Sequence, residues 1–542
     1  MSRTRIEGSQ HPQFEPGLVA PQLVDKQIPD WRGRVATVHG NEVFRECIRR
    51  GRTHGVLRDV PANSHLRFDF LLPVGDLLRS EQYAEENETY GVATLLGEGW
   101  LTDASERLTY AYDNSRRHAL PDAVALPRTR DQVVALVRAC RRHRVPVVAR
   151  GRGTNTTGAA VPVEGGVVVS MERMDRVLDI RPGDRCAVVE PGLLNGDLQA
   201  ALAPHGLFWP PDPTSAMFST VGGNLACNAG GPRAVKYGAS RDNVLALVAV
   251  TGAGDLVHCG SATTKGATGY DLQRLLVGSE GTLALVVEAT LRLTPLPRAR
   301  RLLRALYRDV DAAAAAVARL MAQPVTPSML EFMDGDCVRL ARDVGGADLP
   351  ARAGALLMIE ADGDEATLPH AVEALAAAAA GDGLLLIDDA DDDAARARLW
   401  AARKALSPAL RTLAPGKINE DVVVPVSRIP ALVDGVRGIA AEAKLPIVTF
   451  GHAGNGNLHV NILYDPADAD ASRRADAALS QVFALTLSLG GTLSGEHGIG
   501  LAKRGFMADA ITPPTLALMR QLKAAFDPDG ILNPGKLLPP TD

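Results

Sequence analysis

Ser219-Thr220-Val221-Gly222-Gly223-Asn224-Leu225-Ala226-Cys227-Asn228-Ala229-Gly230-Gly231, led in by Pro210-Pro211-Asp212-Pro213-Thr214-Ser215, is a run of small residues with few bulky side chains. A chain this sparing of Cβ substituents lets its backbone approach a large ligand closely. Upstream, Arg150-Gly151-Arg152-Gly153-Thr154-Asn155-Thr156-Thr157-Gly158 follows directly on the apolar run Val145 to Ala149. Amides freed by glycine, with small hydroxyls beside them, make a concave site suited to a diphosphate. Taken alone this loop is equally a tight turn, and it lacks the GxGxxG spacing of a Rossmann strand–turn–helix. Downstream, Gly269-Tyr270-Asp271-Leu272 and Leu276-Val277-Gly278-Ser279-Glu280-Gly281-Thr282-Leu283 add a third piece.

The chain has 542 residues, too many for one compact core, so two to four domains are expected. Its net charge is -5 and its acidic and basic residues are interspersed. No basic stripe exists to follow a phosphate backbone, which argues against a nucleic-acid partner. The 6 cysteines lie far apart and form no CxxC pair, so neither a zinc ribbon nor a cysteine-held iron–sulfur cluster is expected. They read as reduced thiols. No apolar run approaches the roughly 20 residues of a membrane span. A cytoplasmic location follows, with peripheral attachment at the inner membrane left open.

Residues 1–95 give no readable periodicity and are expected to be an accessory or poorly ordered extension, or to precede a natural start further downstream. From about Leu101 the pattern alternates strand and helix. Asp131 to His143 reads as an amphipathic helix, and Val145 to Ala149, Val167 to Ser170, Val244 to Thr251 and Leu283 to Leu293 read as strands. Pro295-Leu296-Pro297 marks a boundary. Beyond it, strands at Arg301 to Tyr307, Ser328 to Phe332, Ala355 to Glu360 and Leu384 to Ile387 alternate with helices at Val310 to Met321 and Leu368 to Ala380. That order predicts an α+β domain with helices on one face of an antiparallel sheet. The acidic run Asp388 to Asp393 reads as a solvated loop and helix start.

Two later stretches carry chemistry: Gly451-His452-Ala453-Gly454-Asn455-Gly456-Asn457-Leu458-His459 and Ser494-Gly495-Glu496-His497-Gly498-Ile499-Gly500. The glycines exclude a regular helix, and an irregular loop running into a strand at Asn457 to Leu463 can bring His452 and His459 to one point. Glu496 supplies a carboxylate from a separate segment, giving a three-ligand open site. His497 is left for proton transfer, since imidazole titrates near neutrality. Hydrogen-bonded loop histidines are the plainer alternative for the first pair.

The three glycine segments, in this order, resemble the FAD-binding domain of the vanillyl-alcohol oxidase/PCMH flavoprotein superfamily. With GHxGxGNLH and SGEHGIG, the resemblance narrows to the branch holding D-lactate dehydrogenase, D-2-hydroxyglutarate dehydrogenase and the flavin-bearing subunit of glycolate oxidase. It runs from about Leu101 to Leu538. The resemblance implies a PCMH-type FAD-binding domain of two subdomains at 96–297 and an FAD-linked oxidase C-terminal domain at 298–520. Residues 521–542 would then return to the flavin.

It further implies that Gly151, Arg152, Gly153, Thr154, Asn155 and Gly158 take the FAD diphosphate. Pro211, Thr214, Thr220, Gly222, Gly223, Asn228 and Gly230 would line the flavin, Gly278, Glu280 and Gly281 would lie toward the adenosine, and Asn533 would reach the isoalloxazine. The first loop has neither histidine nor cysteine, so the FAD is expected to be non-covalent. His452, His459 and Glu496 would bind a divalent metal, with zinc favoured and manganese, iron or cobalt open. His497 would be the base. Arg403 would grip a substrate carboxylate with its planar fork, with Ser407 and Lys417 as weaker companions.

The implied activity is oxidation of a D-2-hydroxy acid such as D-lactate, glycolate or D-2-hydroxyglutarate. Electrons would pass to a quinone, a cytochrome, an electron-transfer flavoprotein or an iron–sulfur subunit. The alternatives are a flavin subunit active only within a glycolate-oxidase-like complex, or a phenolic-alcohol oxidase. A homodimer is compatible with either.

Overall fold

The computed structural model describes residues 92–343, 349–390 and 399–540, apart from positions 401, 402, 404, 405, 407 and 408. Four short strands nearer the start are also described, and the chain divides into a unit at 1–77 and a unit at 78–542. In the first unit Gln27–Pro29 pairs antiparallel with Val35–Thr37, and Val56–Arg58 with Arg67–Asp69. The remainder of the expected extension lies outside the described residues, except for the helix Val92–Leu96. That helix belongs to the second unit, where its Leu95 carbonyl accepts from Gln132 Nε2 at 2.9 Å.

The second unit begins with a small mixed sheet. Its strands β1 (Trp100–Leu101), β2 (Ala123–Ala125), β3 (Val147–Arg150) and β4 (Val167–Ser170) lie in the order β1-β2-β4-β3. β4 is parallel to both of its neighbours. Parallel strands are covered on both faces, which is why β2 and β4 are unbroken runs of alanine, valine and serine, all buried. Helix α1 (Arg130–Arg142) buries Val133, Leu136, Val137 and Cys140 as one stripe. The Thr129 hydroxyl caps it by accepting from Gln132 N at 3.2 Å.

A five-stranded antiparallel sheet follows. β5 (Val177–Arg181), β6 (Cys186–Val189), β7 (Val244–Thr251), β8 (Leu256–Gly260) and β9 (Ala284–Arg292) are ordered β8-β7-β9-β6-β5. Trp209 is fully buried in its core, and its indole N–H donates to Asn243 O at 2.9 Å. The small-residue run forms helix α2 (Val221–Cys227), capped by the Thr220 hydroxyl, which accepts from Gly223 N at 3.1 Å.

The third sheet has seven antiparallel strands: β10 (Ala299–Tyr307), β11 (Met329–Asp334), β12 (Ala355–Gly363), β13 (Leu384–Ala390), β14 (Gly416–Val423), β15 (Ile447–His452) and β16 (Asn457–Tyr464). Their order is β13-β10-β12-β11-β15-β16-β14. Strand residues alternate between two cores. Leu303, Ala305, Leu330, Phe332, Leu357, Ile359, Leu458 and Val460 face one side. Helices α3 (Val310–Ala322), α5 (Leu368–Ala379), α6 (Ile429–Ala443) and α7 (Ala469–Ser488) bury their apolar residues in the same core. Leu302, Met329, Met333, Met358, Val448 and Phe450 face the other side.

Two expectations need correction here. Helices do not keep to one face, because α4 (Gly335–Asp343) buries Cys337, Val338, Leu340 and Ala341 against the second side. The acidic run is not all loop either. β13 extends to Ala390, and Asp388 and Asp389 lie on it as partners of Arg304 and Arg301. The neighbouring cations let an edge strand absorb carboxylates that isolated reading assigns to solvent. Residues 391–393 lie outside the described ones.

Finally, residues 531–533 return to β3. Val147 N donates to Ile531 O at 2.8 Å and Asn533 N to Val147 O at 2.7 Å, extending that sheet by a parallel bridge.

Candidate active site

One cavity of about 1340 Å³ joins the glycine segments to the second face of the seven-stranded sheet. Typical small-ligand pockets hold roughly 300–1,000 Å³, so this one has room for a dinucleotide and a small substrate together.

Its first wall is backbone. Gly151, Arg152, Gly153, Thr154, Asn155, Thr214, Thr220, Gly222, Gly223, Glu280 and Gly281 all line it. A Cβ on Gly151 would sit 2.3 Å from the Thr220 hydroxyl, and one on Gly222 would sit 2.6 Å from the Pro191 ring, so glycine is required at both. Gly158, Pro211, Asn228, Gly230, Gly278 and Asn533 are not among the cavity's lining residues, although a Cβ on Gly230 would lie 3.4 Å from Glu496 Oε2. Pro211 O accepts from Asn195 Nδ2 at 2.9 Å, and Asn228 closes α2 in the left-handed conformation. Gly278 N donates to Leu225 O at 2.9 Å. Asn533 is buried, and its amide donates to Ala159 O and Glu280 O at 2.9 and 2.7 Å.

The second wall is side chain. Strand pairing sets Glu331 opposite His452 and Asp421 opposite His459. Paired residues share a face, so all four project together toward the cavity side of the sheet. The Ser494 to Gly500 segment then brings Glu496 and His497 over them. Glu496 Oε1 lies 3.4 Å from His452 Nε2, 3.6 Å from His459 Nε2 and 3.8 Å from His497 Nε2. One donor atom from each of His452, His459 and Glu496 falls within 4.8 Å of the others. The His459 and His497 rings stack, with centroids 5.3 Å apart.

Each functional group is held from behind. His452 Nδ1 bonds the fully buried Glu331 carboxylate, which leaves Nε2 pointing at Glu496. Glu331 Oε2 also accepts from Arg403 Nε at 2.9 Å and lies 2.8 Å from its Nη2, while the guanidinium lies 4.5 Å from the Phe450 ring centre. Asp421 Oδ2 accepts three successive amides, from Gly495, Glu496 and His497, at 2.8, 2.7 and 2.9 Å. Its Oδ1 pairs with the buried Lys503 and lies 3.3 Å from His497 Nδ1 without hydrogen-bond alignment. Glu280 accepts from Ile499 N and Gly500 N at 2.6 and 2.8 Å, tying this segment to the glycine-rich half. Asn155 does the same from the loop, donating from Nδ2 to His497 O at 2.8 Å.

The electrostatics fit a cation. Burial opposes charge on His452, but Glu331 and Glu496 outweigh it and raise its pKa to about 10. Burial likewise opposes ionisation of Glu496 and Glu331, yet His452 and, for Glu331, Arg403 bring both down to about 2. His459 is lowered to about 3, by burial first and then by His497. The surroundings therefore hold a positive charge, the proton on His452, beside Glu496 and keep His459 neutral; a metal bound by both imidazoles would take the place of that proton. Glu496 Oε2 and His459 Nδ1 are buried without a hydrogen-bond partner among the described residues. Two imidazoles and a carboxylate with open positions suit a divalent metal, and a carboxylate behind the first imidazole is the usual support of such a ligand.

Arg403 lines the cavity next to Trp400 and Phe450. Lys417 does not; it sits at the opposite end of β14 from Asp421, and burial lowers its pKa to about 8. Ser407 lies outside the described residues. Sequence reasoning missed Glu331, Asp421 and Lys503. The available signal was a carboxylate set beside apolar strand residues, Glu331 in Met329-Leu330-Glu331-Phe332-Met333 and Asp421 before Val422-Val423.

Residues 121–260 match the profile described as an FAD binding domain, and residues 296–537 match that of FAD linked oxidases, C-terminal domain. Glycolate oxidase subunit GlcD of Bacillus subtilis is 40% identical over 80% of this chain and 92% of its own length. A D-lactate dehydrogenase of Anaerostipes hadrus is 34% identical over 77% and 90%. A D-2-hydroxyglutarate dehydrogenase of Stutzerimonas stutzeri is 36% identical over 81% and 95%. Among solved structures, p-cresol methylhydroxylase superposes with a TM-score of 0.69 at 16% identity, covering 82% of this chain and 95% of its own, which speaks for the fold alone. Both matched domains occur in the order in which the cavity's two walls are built, and the identities extend over more than three quarters of the sequence: the chain belongs to the FAD-linked oxidase family and is an FAD-binding oxidoreductase.

Proposed function

We propose that this enzyme is an FAD- and metal-dependent dehydrogenase that oxidises a D-2-hydroxy acid to the 2-oxo acid and passes the electrons to an acceptor other than oxygen. The observation that carries this reading is the meeting of His452, His459, Glu496 and His497 in the cavity lined by the glycine segments. The relatives named as D-lactate dehydrogenase, D-2-hydroxyglutarate dehydrogenase and a glycolate oxidase subunit support the substrate class.

The residues divide the work as follows. Arg403 binds the substrate carboxylate and thereby sets the position of the α-carbon. His452, His459 and Glu496 hold the metal, with zinc favoured by the ligand set. When bound, the metal acidifies the hydroxyl and the flavin accepts the hydride equivalent. His497 Nε2 takes the hydroxyl proton, and Asp421 steadies the imidazole from the Nδ1 side. Glu280 and Asn155 keep the His497 segment against the glycine-rich half. The glycine segments bind FAD without a covalent link.

Anaerobic mixing with D-lactate, glycolate and D-2-hydroxyglutarate tests the proposal. At least one should bleach the flavin absorbance, and failure across a broad 2-hydroxy-acid panel would remove the substrate class. Removing metal with a chelator should slow bleaching at least tenfold while FAD stays bound. Full-speed bleaching of metal-free protein would remove the metal's role. A second reading, a flavin subunit working inside a larger complex, is favoured by the subunit name of the Bacillus relative and by the absence of clustered cysteines in this sequence. Turnover of the isolated chain with a soluble dye separates the two.

A further inference from the structure

Glu331 is fully buried between apolar neighbours on the central strand β11. Its two oxygens serve two different groups. Oε1 meets His452 Nδ1, and Oε2 accepts from Arg403 Nε with Nη2 2.8 Å away. Burying a carboxylate this completely is costly unless every lone pair is used, and here both oxygens are committed to cationic or polarised donors. The arrangement fixes the His452 ring so that Nε2 faces Glu496. It also holds the Arg403 guanidinium by its Nε and Nη2 edge, 4.5 Å from the Phe450 ring centre at the cavity wall. The strand register makes this possible, because Glu331 lies directly opposite His452.

We propose that Glu331 is a positioning residue shared by the metal half and the carboxylate-binding half of the site, so that one buried side chain sets the orientation of both. The inference rests on the functional reading above, in which His452 is a ligand and Arg403 grips a carboxylate. Its consequence is that a single substitution, at a side chain that touches both His452 and Arg403, damages two separate binding events.

The test uses the FAD-loaded full chain, with zinc ion and oxalate as probes. Zinc affinity is read by competition with a chelating dye, and oxalate affinity by perturbation of the flavin spectrum at saturating zinc. Glu331→Gln should weaken zinc binding about 10–100-fold, the usual cost of losing a support behind a metal ligand. It should weaken oxalate binding by a factor close to that seen in Arg403→Met. Arg403→Met itself should leave zinc affinity within about twofold, because Arg403 does not touch either imidazole. Should Glu331→Gln fail to retain FAD, Glu331→Asp keeps the charge beside Arg403 and carries the same two readouts, with both deficits smaller. A Glu331 variant that loses only one of the two affinities, or neither, overturns the inference, even if its melting temperature falls. Wild-type protein that binds no zinc or no oxalate overturns the functional reading beneath it instead.

Discussion

Residues 150–158 and 219–231 form their wall of the cavity from backbone, whereas β11, β14, β15 and β16 form theirs from side chains at set strand positions. The first wall works by omission. Where a Cβ would collide with Thr220 or Pro191 there is only hydrogen, so the segments of this wall pack closely on one another. The second works by alternation, because a period of two sends every other residue of four strands to the same side. A wall of the first kind tolerates changes in side-chain chemistry but no added bulk. A wall of the second kind tolerates changes in bulk on its far face but no change in the identity of a few residues.

Substitutions chosen from each wall can break this contrast. The largest effect is expected at His497. Its replacement by alanine should lower turnover about 10²–10⁴-fold, the range for loss of a general base, while FAD content stays at wild-type level. Loss of flavin with loss of turnover would mean that the side-chain wall also holds the cofactor. Asp421→Asn comes next. It removes the partner of the fully buried Lys503 and the acceptor of three successive amides, which should destabilise the protein by about 3–5 kcal/mol in denaturant unfolding. Stability within about 1 kcal/mol of wild type would show the 494–500 segment to be held elsewhere.

On the backbone wall, Gly222→Val should cost about 1–3 kcal/mol by overpacking against Pro191 and should reduce FAD content without moving zinc affinity. A variant with full flavin content would show that this close approach is not needed.

The smallest effect concerns Lys536, buried beside Asn533 and lowered to about 8, by burial first, with Glu164 and Glu280 opposing. Its pKa in the unfolded chain is higher, near 10.5, so between the two values the unfolded state binds more protons and stability rises with pH. Lys536→Met should remove an increment on the order of 1–3 kcal/mol between about pH 8 and 10.5. Equal pH profiles for variant and wild type would sink the assignment.

Legibility in the sequence follows the same division. The backbone wall announces itself as composition, since glycine and small residues concentrated in 150–158 and 219–231 have few other uses. Strand Val244–Thr251 was readable to the residue because it is a continuous apolar run between turn signals. The meeting of His452, His459 and Glu496 could be anticipated from histidines set among glycines. Glu331 and Asp421 could not, because each is one carboxylate whose partner lies on a strand far away in sequence. The helix on the second sheet face was missed for a related reason. Gly335–Asp343 is amphipathic like any surface helix, and periodicity does not say which side of a sheet it covers. Asp388 and Asp389 look solvated until Arg301 and Arg304 are paired with them across two strands.

The bridge between Val147 and Leu532 has a consequence for how the protein is made. A ribosome delivers β3 and the first glycine loop long before it delivers residues 531–533. During synthesis, therefore, the strand that carries the loop waits with an unfilled edge, and Asn533 is not yet there to bind Ala159 and Glu280. The edge of β3 and the carbonyls of Ala159 and Glu280 therefore gain these partners only once residues 531–533 have been made.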